Sequence, residues 1–282
     1  MVDLEGYRAD SLASWNEAAP SWGKRHDWLF EQTRPVTERL VERLGPAPGE
    51  LILELAAGPG DLGLSIAERV EPAGRLISSD FSPEMVGLAR ENGTARGLTN
   101  VEYRVLDAER LDLADGSVDG VVCRWGFMLM ADPGAAFREA RRVLRRGGRL
   151  VFAVWASPQR NPWMSVPIAA AVERGIVEAP DPTRPGPFNL QDPDVVRGLL
   201  DGSGFAEPEI EEIAFAFHYL DFEEFWEALV QLSQRVGTGV AALSQLEHDE
   251  FRGVLLDKLA PFRCEDGSYT MAASSWVVRV EC

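Results

Sequence analysis

The sequence predicts an α/β protein built on a parallel sheet with helices on both faces, and three observations carry that expectation. From about residue 50, short apolar runs alternate with amphipathic stretches, the rhythm of successive strand–helix–strand units. Helix starts recur at Ser82-Pro83, Asp132-Pro133 and Asp192-Pro193, each a capping side chain followed by a residue whose φ is already helical. The 282 residues, 45% of them hydrophobic, suffice for a buried core without metal or disulfide staples.

Taken in order, residues 1–45 read as helical, with Val36, Leu40 and Leu44 on one face. Leu51–Leu55 (LILEL) is a buried strand ending in a glycine-rich turn, and residues 61–70 form its helix. Arg75–Ser79 is the second strand, followed by the helix that Ser82 caps. Val101–Leu106 and Val118–Cys123 are the third and fourth strands; the Asp132-Pro133 helix then runs to Gly147-Gly148, and Leu150–Trp155 is the fifth strand. Residues 157–190 carry prolines at 158, 162, 167, 180, 182, 185 and 187 and read as a long irregular excursion. The Asp192-Pro193 helix ends near Gly202–Gly204. Glu209–His218 and Tyr269–Val280 complete seven strands, with two acidic amphipathic helices expected over 221–259. The division that follows is an N-terminal helical lid (1–45) and one domain over 46–282. Within it, residues 46–156 form a ligand-binding half, and 157–190 and 221–259 are insertions over the sheet's carboxyl edge, where open α/β sheets bind ligands.

Charge narrows the partners. The chain has 45 acidic and 28 basic residues, a formal charge of −17, and residues 151–282 hold −12 of it. Such a surface offers no broad footprint for nucleic acid or for an anionic membrane, and no run approaches a membrane-spanning helix. Cys123, Cys264 and Cys282 form neither a CxxC pair nor an even set. They read as reduced thiols in a cytoplasmic protein. No metal site is expected, and oligomeric state is left open.

The loop Glu54-Leu55-Ala56-Ala57-Gly58-Pro59-Gly60-Asp61-Leu62-Gly63 contains Gly58-x-Gly60-x-x-Gly63, with Asp80 about twenty residues on, the spacing of a dinucleotide fingerprint. Charge points elsewhere. A pyrophosphate favours a helix N-terminus free of carboxylates, yet Glu54 and Asp61 flank this loop and it holds no Lys or Arg. S-adenosylmethionine carries a sulfonium and an ammonium, and carboxylates attract both. Asp80 ends the second strand, where a carboxylate accepts ribose hydroxyls, and Asp107-Ala108 ends the third, suited to an adenine amino group.

These segments (ELAAGPGDLG, SSDFSPEM, VLDAERLDL, SVDGVVCRWGFMLMADP and RVLRRGGRLVFAVW) resemble the class I S-adenosylmethionine-dependent methyltransferases, in particular the branch of the ubiquinone and menaquinone biosynthesis enzymes. The resemblance covers about residues 50–156. Trp15-Asn16-Glu17-Ala18-Ala19-Pro20-Ser21-Trp22 is similar to that branch's lid motif, and Ala56 departs from the glycine many members carry. The resemblance implies a doubly wound, seven-stranded Rossmann-like sheet of order 3-2-1-4-5-7-6, the seventh strand antiparallel, with helical lid segments. It also implies S-adenosyl-L-methionine as cofactor, with S-adenosyl-L-homocysteine as product. Trp22 would lie over the cofactor, with Glu54, Ala56, Gly58 and Gly60 on the methionine and ribose side. Asp80, Phe81 and Met85 would hold ribose and adenine, and Asp107 and Ala108 the adenine edge. Arg124 and Trp125 would stand beside the methionine and the acceptor.

For the chemistry, His26 after the lid motif is the candidate base; His218 and His248 are weaker ones. Trp163, Phe188 and Trp226, with Phe222 and Phe225, are candidates to line an acceptor site. They suggest a small apolar or aromatic acceptor, O- or C-methylated by in-line transfer. A nicotinamide-dependent oxidoreductase and a non-catalytic cofactor-binding protein are the competing expectations.

Overall fold

The computed structural model describes residues 4–181 and 184–282. Residues 1–3 of the N-terminal segment and Pro182 of the proline run therefore lie outside the described residues. The elements run α1 (Leu4–Leu44), β1 (Leu51–Leu55), α2 (Asp61–Val70), β2 (Arg75–Asp80), α3 (Pro83–Ala95), β3 (Val101–Val105), β4 (Val118–Arg124), α4 (Pro133–Val143) and β5 (Leu144–Trp155). The second half continues with α5 (Pro162–Glu173), α6 (Pro193–Asp201), β6 (Glu209–Tyr219), α7 (Phe222–Leu232), α8 (Gln234–Ala241), α9 (Gln245–Leu259) and β7 (Tyr269–Glu281).

All seven strands join one sheet of order β3-β2-β1-β4-β5-β7-β6. The strands β1 to β5 pair in parallel, while β7 runs antiparallel to both β5 and β6. The order reverses between β1 and β4, whose register aligns Glu54 with Val122 and Leu55 with Cys123. Their carboxyl ends thus open side by side at the switch point.

Two apolar cores cover the two faces. One packs Val36, Leu40, Val41 and Leu44 of α1 with Leu62 and Ile66 of α2 onto Ile52, Leu76, Val122 and Val151. The other, larger core gathers α4, α5, α6 and the C-terminal helices on Leu53, Val121, Phe152 and Phe217. The C-terminal half of α1 is therefore a sheet-packing helix, and its N-terminal half passes over the carboxyl edge. Pro20 and Pro35 sit inside this 41-residue helix. Both are exposed, so the carbonyls one turn earlier, left without a donor, share a solvent-facing side.

Three expectations are corrected. The helix opened by Asp132 ends at Val143, and Gly147-Gly148 belong to the entry of β5. Leu144 leaves the helix early to pair with Val118, and a side chain at 148 would press within 3.0 Å of the Arg145 and Asp119 carbonyls. The excursion over 157–190 contains a 12-residue helix, α5. Pro162 takes its first turn, where an N–H is not needed, and Pro167 is accommodated further in. Residues 221–259 form three helices instead of two, because Ser233 and Ser244 both adopt extended backbone. Ser244 and Glu247 form a reciprocal capping box at the second break.

Candidate functional site

The loop between β1 and α2 is shaped by three glycines with different duties. A Cβ on Gly63 would fall 2.1 Å from the Glu54 carboxylate, and one on Gly60 would meet Ala89 of α3 at 3.0 Å. Both positions are demanded by packing. Gly58, at φ +54°, would meet nothing within 4 Å, so its bare face opens onto free space beside the carboxyl edge. Ala56 also takes a left-handed backbone, φ +52°, which an L side chain tolerates at a cost of roughly 1–2 kcal/mol.

Glu54 lies beneath this loop and is 2% exposed. One of its oxygens accepts from the Gly63 N–H (2.8 Å) and the other from the Ser78 hydroxyl (2.9 Å). Burial pushes its carboxyl up to about 8, against the pull of those donors and of the Arg124 charge. At neutral pH Glu54 is thus a mostly protonated brace inside the loop.

Asp80 ends β2 and joins the loop directly. Its Oδ2 accepts from Gly58 N (2.8 Å) and its Oδ1 from Ser82 N (2.9 Å). Burial raises its pKa, and these backbone donors oppose the rise. Each carboxylate oxygen keeps a lone pair for a further donor. Phe81 is half-buried next to it, and Met85 is buried in α3, its N–H donating to the Ser82 cap. The Leu106 N–H donates to the Asp80 carbonyl (3.0 Å), which brings Asp107 and the buried Ala108 alongside. Asp107 accepts from Glu109 N (2.9 Å).

At the end of β4 stand Arg124 and Trp125. Arg124 Nη1 donates to Thr37 (2.6 Å) and Thr33 (3.3 Å) of α1; burial lowers its pKa, opposed by Asp61 and Glu54. Trp125 adopts φ +59°, an outlier for a bulky residue and the kind of strain found at functional sites. Its indole stacks on Trp155 at 4.1 Å, its Nε1–H donates to Ser275 (3.0 Å), and the Arg124 guanidinium lies 5.2 Å from its ring. The aromatic contacts continue from Trp155 to Trp163 (5.2 Å), to Phe217 (4.2 Å) and on to Trp28 of α1 (6.0 Å). Buried Asn161 fixes Trp163 by accepting from its Nε1–H (3.2 Å). Trp155, Trp28 and Asn161 escape the sequence reading. Trp155 sits at the end of an apolar strand, a position at which ligand lining and core packing look alike.

Several expected residues lie elsewhere. Trp226 is buried against Phe251 and His248 of α9, with Arg252 over its ring, and Phe222 and Phe225 share that packing. These are core residues of the C-terminal helices, as their 3- and 4-residue spacing also allows. His26 points to the start of α2: its Nε2 is 3.0 Å from Asp61 Oδ1, and its Nδ1 is 3.1 Å from Asp27. Asp61, 3% exposed, also takes Arg96 (3.2 Å). His26 thus lies beside the start of α2, although its buried Nε2 makes no aligned hydrogen bond. His218 is exposed and bonds Thr270, and His248 packs on Trp226. Trp22 is half-buried on α1 against Trp15 (5.4 Å). Phe188 is half-buried in a segment held beside the β4 exit by the Gly186 N–H to the Met128 carbonyl (3.2 Å).

Residues 52–148 match the family model described as a methyltransferase domain. The demethylmenaquinone methyltransferase of Thermus thermophilus is 41% identical over 90 residues, 32% of this chain and 40% of that protein. The arsenite methyltransferase of Halobacterium salinarum is 31% identical over 162 residues, 57% of this chain and 38% of that protein. The chain thus spans well under two thirds of the length of either relative. A putative methyltransferase of Bacillus halodurans shares the fold, with a TM-score of 0.58 over 87% of this chain and 97% of that one, at 21% identity. No described helix is long and apolar enough to cross a membrane.

Proposed function

We propose that this chain, a class I methyltransferase by its domain and resembling the quinone-biosynthesis branch, transfers a methyl group from S-adenosylmethionine to a small apolar or aromatic acceptor at oxygen or carbon. The observation that carries the cofactor is the acceptor carboxylate beside the open glycine. Gly58 opens onto free space next to Asp80, whose two oxygens each keep a lone pair free. A carboxylate in that corner suits neutral ribose hydroxyls, whereas a pyrophosphate would be repelled. In this reading Asp80 accepts the ribose hydroxyls and Asp107 the adenine amino group, with Phe81, Met85 and Ala108 as apolar walls. Ala56, Gly58 and Gly60 give backbone access on the methionine side, Arg124 and Trp125 border it, and Trp22 covers it from α1.

When bound, the cofactor supplies a carbon activated by its sulfonium. The chain's contribution is orientation: holding two reactants in line is worth up to roughly 7–11 kcal/mol. Trp125 and Trp163 are half-buried and backed by the buried Trp155, and Trp125 is held by its bond to Ser275. A small apolar or aromatic acceptor suits such an aromatic border. No base is assigned: His26 lies at the start of α2 beside Asp61, and an acceptor that loses its proton near neutral pH needs none.

The similarity to an arsenite methyltransferase is not carried over to the acceptor. Cys123 is buried and its thiol is pushed up to about 12 by burial, which disfavours a thiolate ligand. The reading is tested by incubating the chain with methyl-labelled S-adenosylmethionine and a panel of phenols and quinols. Label transfer to a panel member supports it. Binding of the cofactor with no transfer to any small molecule would favour a non-catalytic role, and binding of a nicotinamide dinucleotide in its place would refute it.

A further inference from the structure

We propose that Arg8 is a positioning residue for the cofactor, the latch that fastens the first turns of α1 over the adenine end of the cleft. The inference rests on the cofactor reading above. The Arg8 guanidinium pairs with Glu109, and the two side chains are 15% and 5% exposed. Glu109 follows directly on Asp107-Ala108, and its backbone N–H donates to the Asp107 carboxylate (2.9 Å). Its second oxygen accepts from Ala131 N (2.8 Å) in the loop after β4. One buried carboxylate therefore ties three elements together: α1, the turn after β3 and the turn after β4. Tyr7 reinforces the attachment, its hydroxyl donating to the Leu129 carbonyl (2.8 Å).

The latch is built to open. Arg8 Nε is buried without a hydrogen-bond partner, so the closed state carries an unsatisfied donor. A ligand whose adenine lies against Asp107 sits beside this corner, where α1 is fastened by Arg8 and Tyr7. On this reading the Arg8–Glu109 pair slows release of the ligand.

The test measures dissociation of S-adenosylhomocysteine by stopped-flow tryptophan fluorescence in the full chain. Arg8→Gln and the isosteric Glu109→Gln should each speed release tenfold or more, with far-UV circular dichroism unchanged. Arg8 also pairs with Glu5 (2.8 Å), but the Arg8–Glu109 bond is lost in either single variant, so the double variant should be clearly less than additive. Arg8→Lys, which keeps the charge, should restore most of the slow release. Unchanged release in the single variants, or effects that simply add in the double variant, would overturn the latch while leaving the cofactor reading standing. Failure of the wild-type chain to bind S-adenosylhomocysteine at all would overturn both.

Discussion

Replacing Glu54 by glutamine isolates one buried proton. Glu54 is 2% exposed and its carboxyl is pushed up to about 8, from an ordinary value of 4.5. The folded chain therefore holds a proton that the unfolded chain releases between those two values. The stability this protonated side chain contributes is full below pH 4.5. It declines by at most about 1.4 kcal/mol per pH unit as pH rises, and is lost through pH 8. Between pH 5 and pH 9 the loss comes to roughly 4 kcal/mol. The glutamine amide keeps the shape, accepts from Gly63 N, offers an N–H to Ser78, and does not titrate. Urea unfolding of both chains from pH 5 to pH 9, followed by tryptophan fluorescence, gives the difference directly. Other titrating groups, Asp80 among them, largely cancel in it. Glu54→Gln should be near neutral at pH 5 and more stable than the parent by roughly 4 kcal/mol at pH 9. A difference flat within about 0.5 kcal/mol across that range would refute the picture of Glu54 as a protonated brace.

Two further substitutions separate loop strain from core packing. Ala56→Gly relieves a left-handed alanine and should raise the urea midpoint by an amount equivalent to about 1 kcal/mol. Trp226→Ala removes a buried ring packed on Phe251. It should cost about 3–5 kcal/mol in the same assay while leaving the dissociation constant for S-adenosylhomocysteine within about threefold, since ΔΔG values at distant sites are independent.

What the sequence discloses depends on how local each signal is. The glycine loop, the carboxylates at three strand ends and the Ser/Asp-Pro caps are short-range features. All are found where the residue chemistry puts them: Ser82 caps α3 and Asp132 caps α4. The strand order is a long-range property, and it comes from the resemblance; alternation alone does not place β7 between β5 and β6. Helix α5 is hidden because a high proline count reads as irregularity, although Pro162 is a helix-start residue. Trp226 and Trp163 look alike in sequence, each an aromatic near helix-forming residues. Only the packing distinguishes Trp226 on Phe251 from Trp163 on Trp155. In sequence Glu54 reads by its charge, and burial neutralises that charge. The partnerships of α1 with Asp61 and Glu109 join residues 35 and 101 positions apart, a separation that no motif spans.

The central claim, that the Gly58–Asp80 corner receives S-adenosylmethionine, is tested most directly by isothermal titration calorimetry. Wild-type, Asp80→Ala and Asp80→Asn chains are each titrated with S-adenosylmethionine and with NADH, with thermal unfolding confirming that all three are folded. The account predicts that the wild-type chain binds S-adenosylmethionine and not NADH. It also predicts that Asp80→Ala weakens binding about ten- to a hundredfold, the loss expected when buried hydroxyls lose a charged acceptor, with Asp80→Asn in between. NADH binding without S-adenosylmethionine binding, or an Asp80→Ala chain that binds S-adenosylmethionine as tightly as the parent, would contradict it.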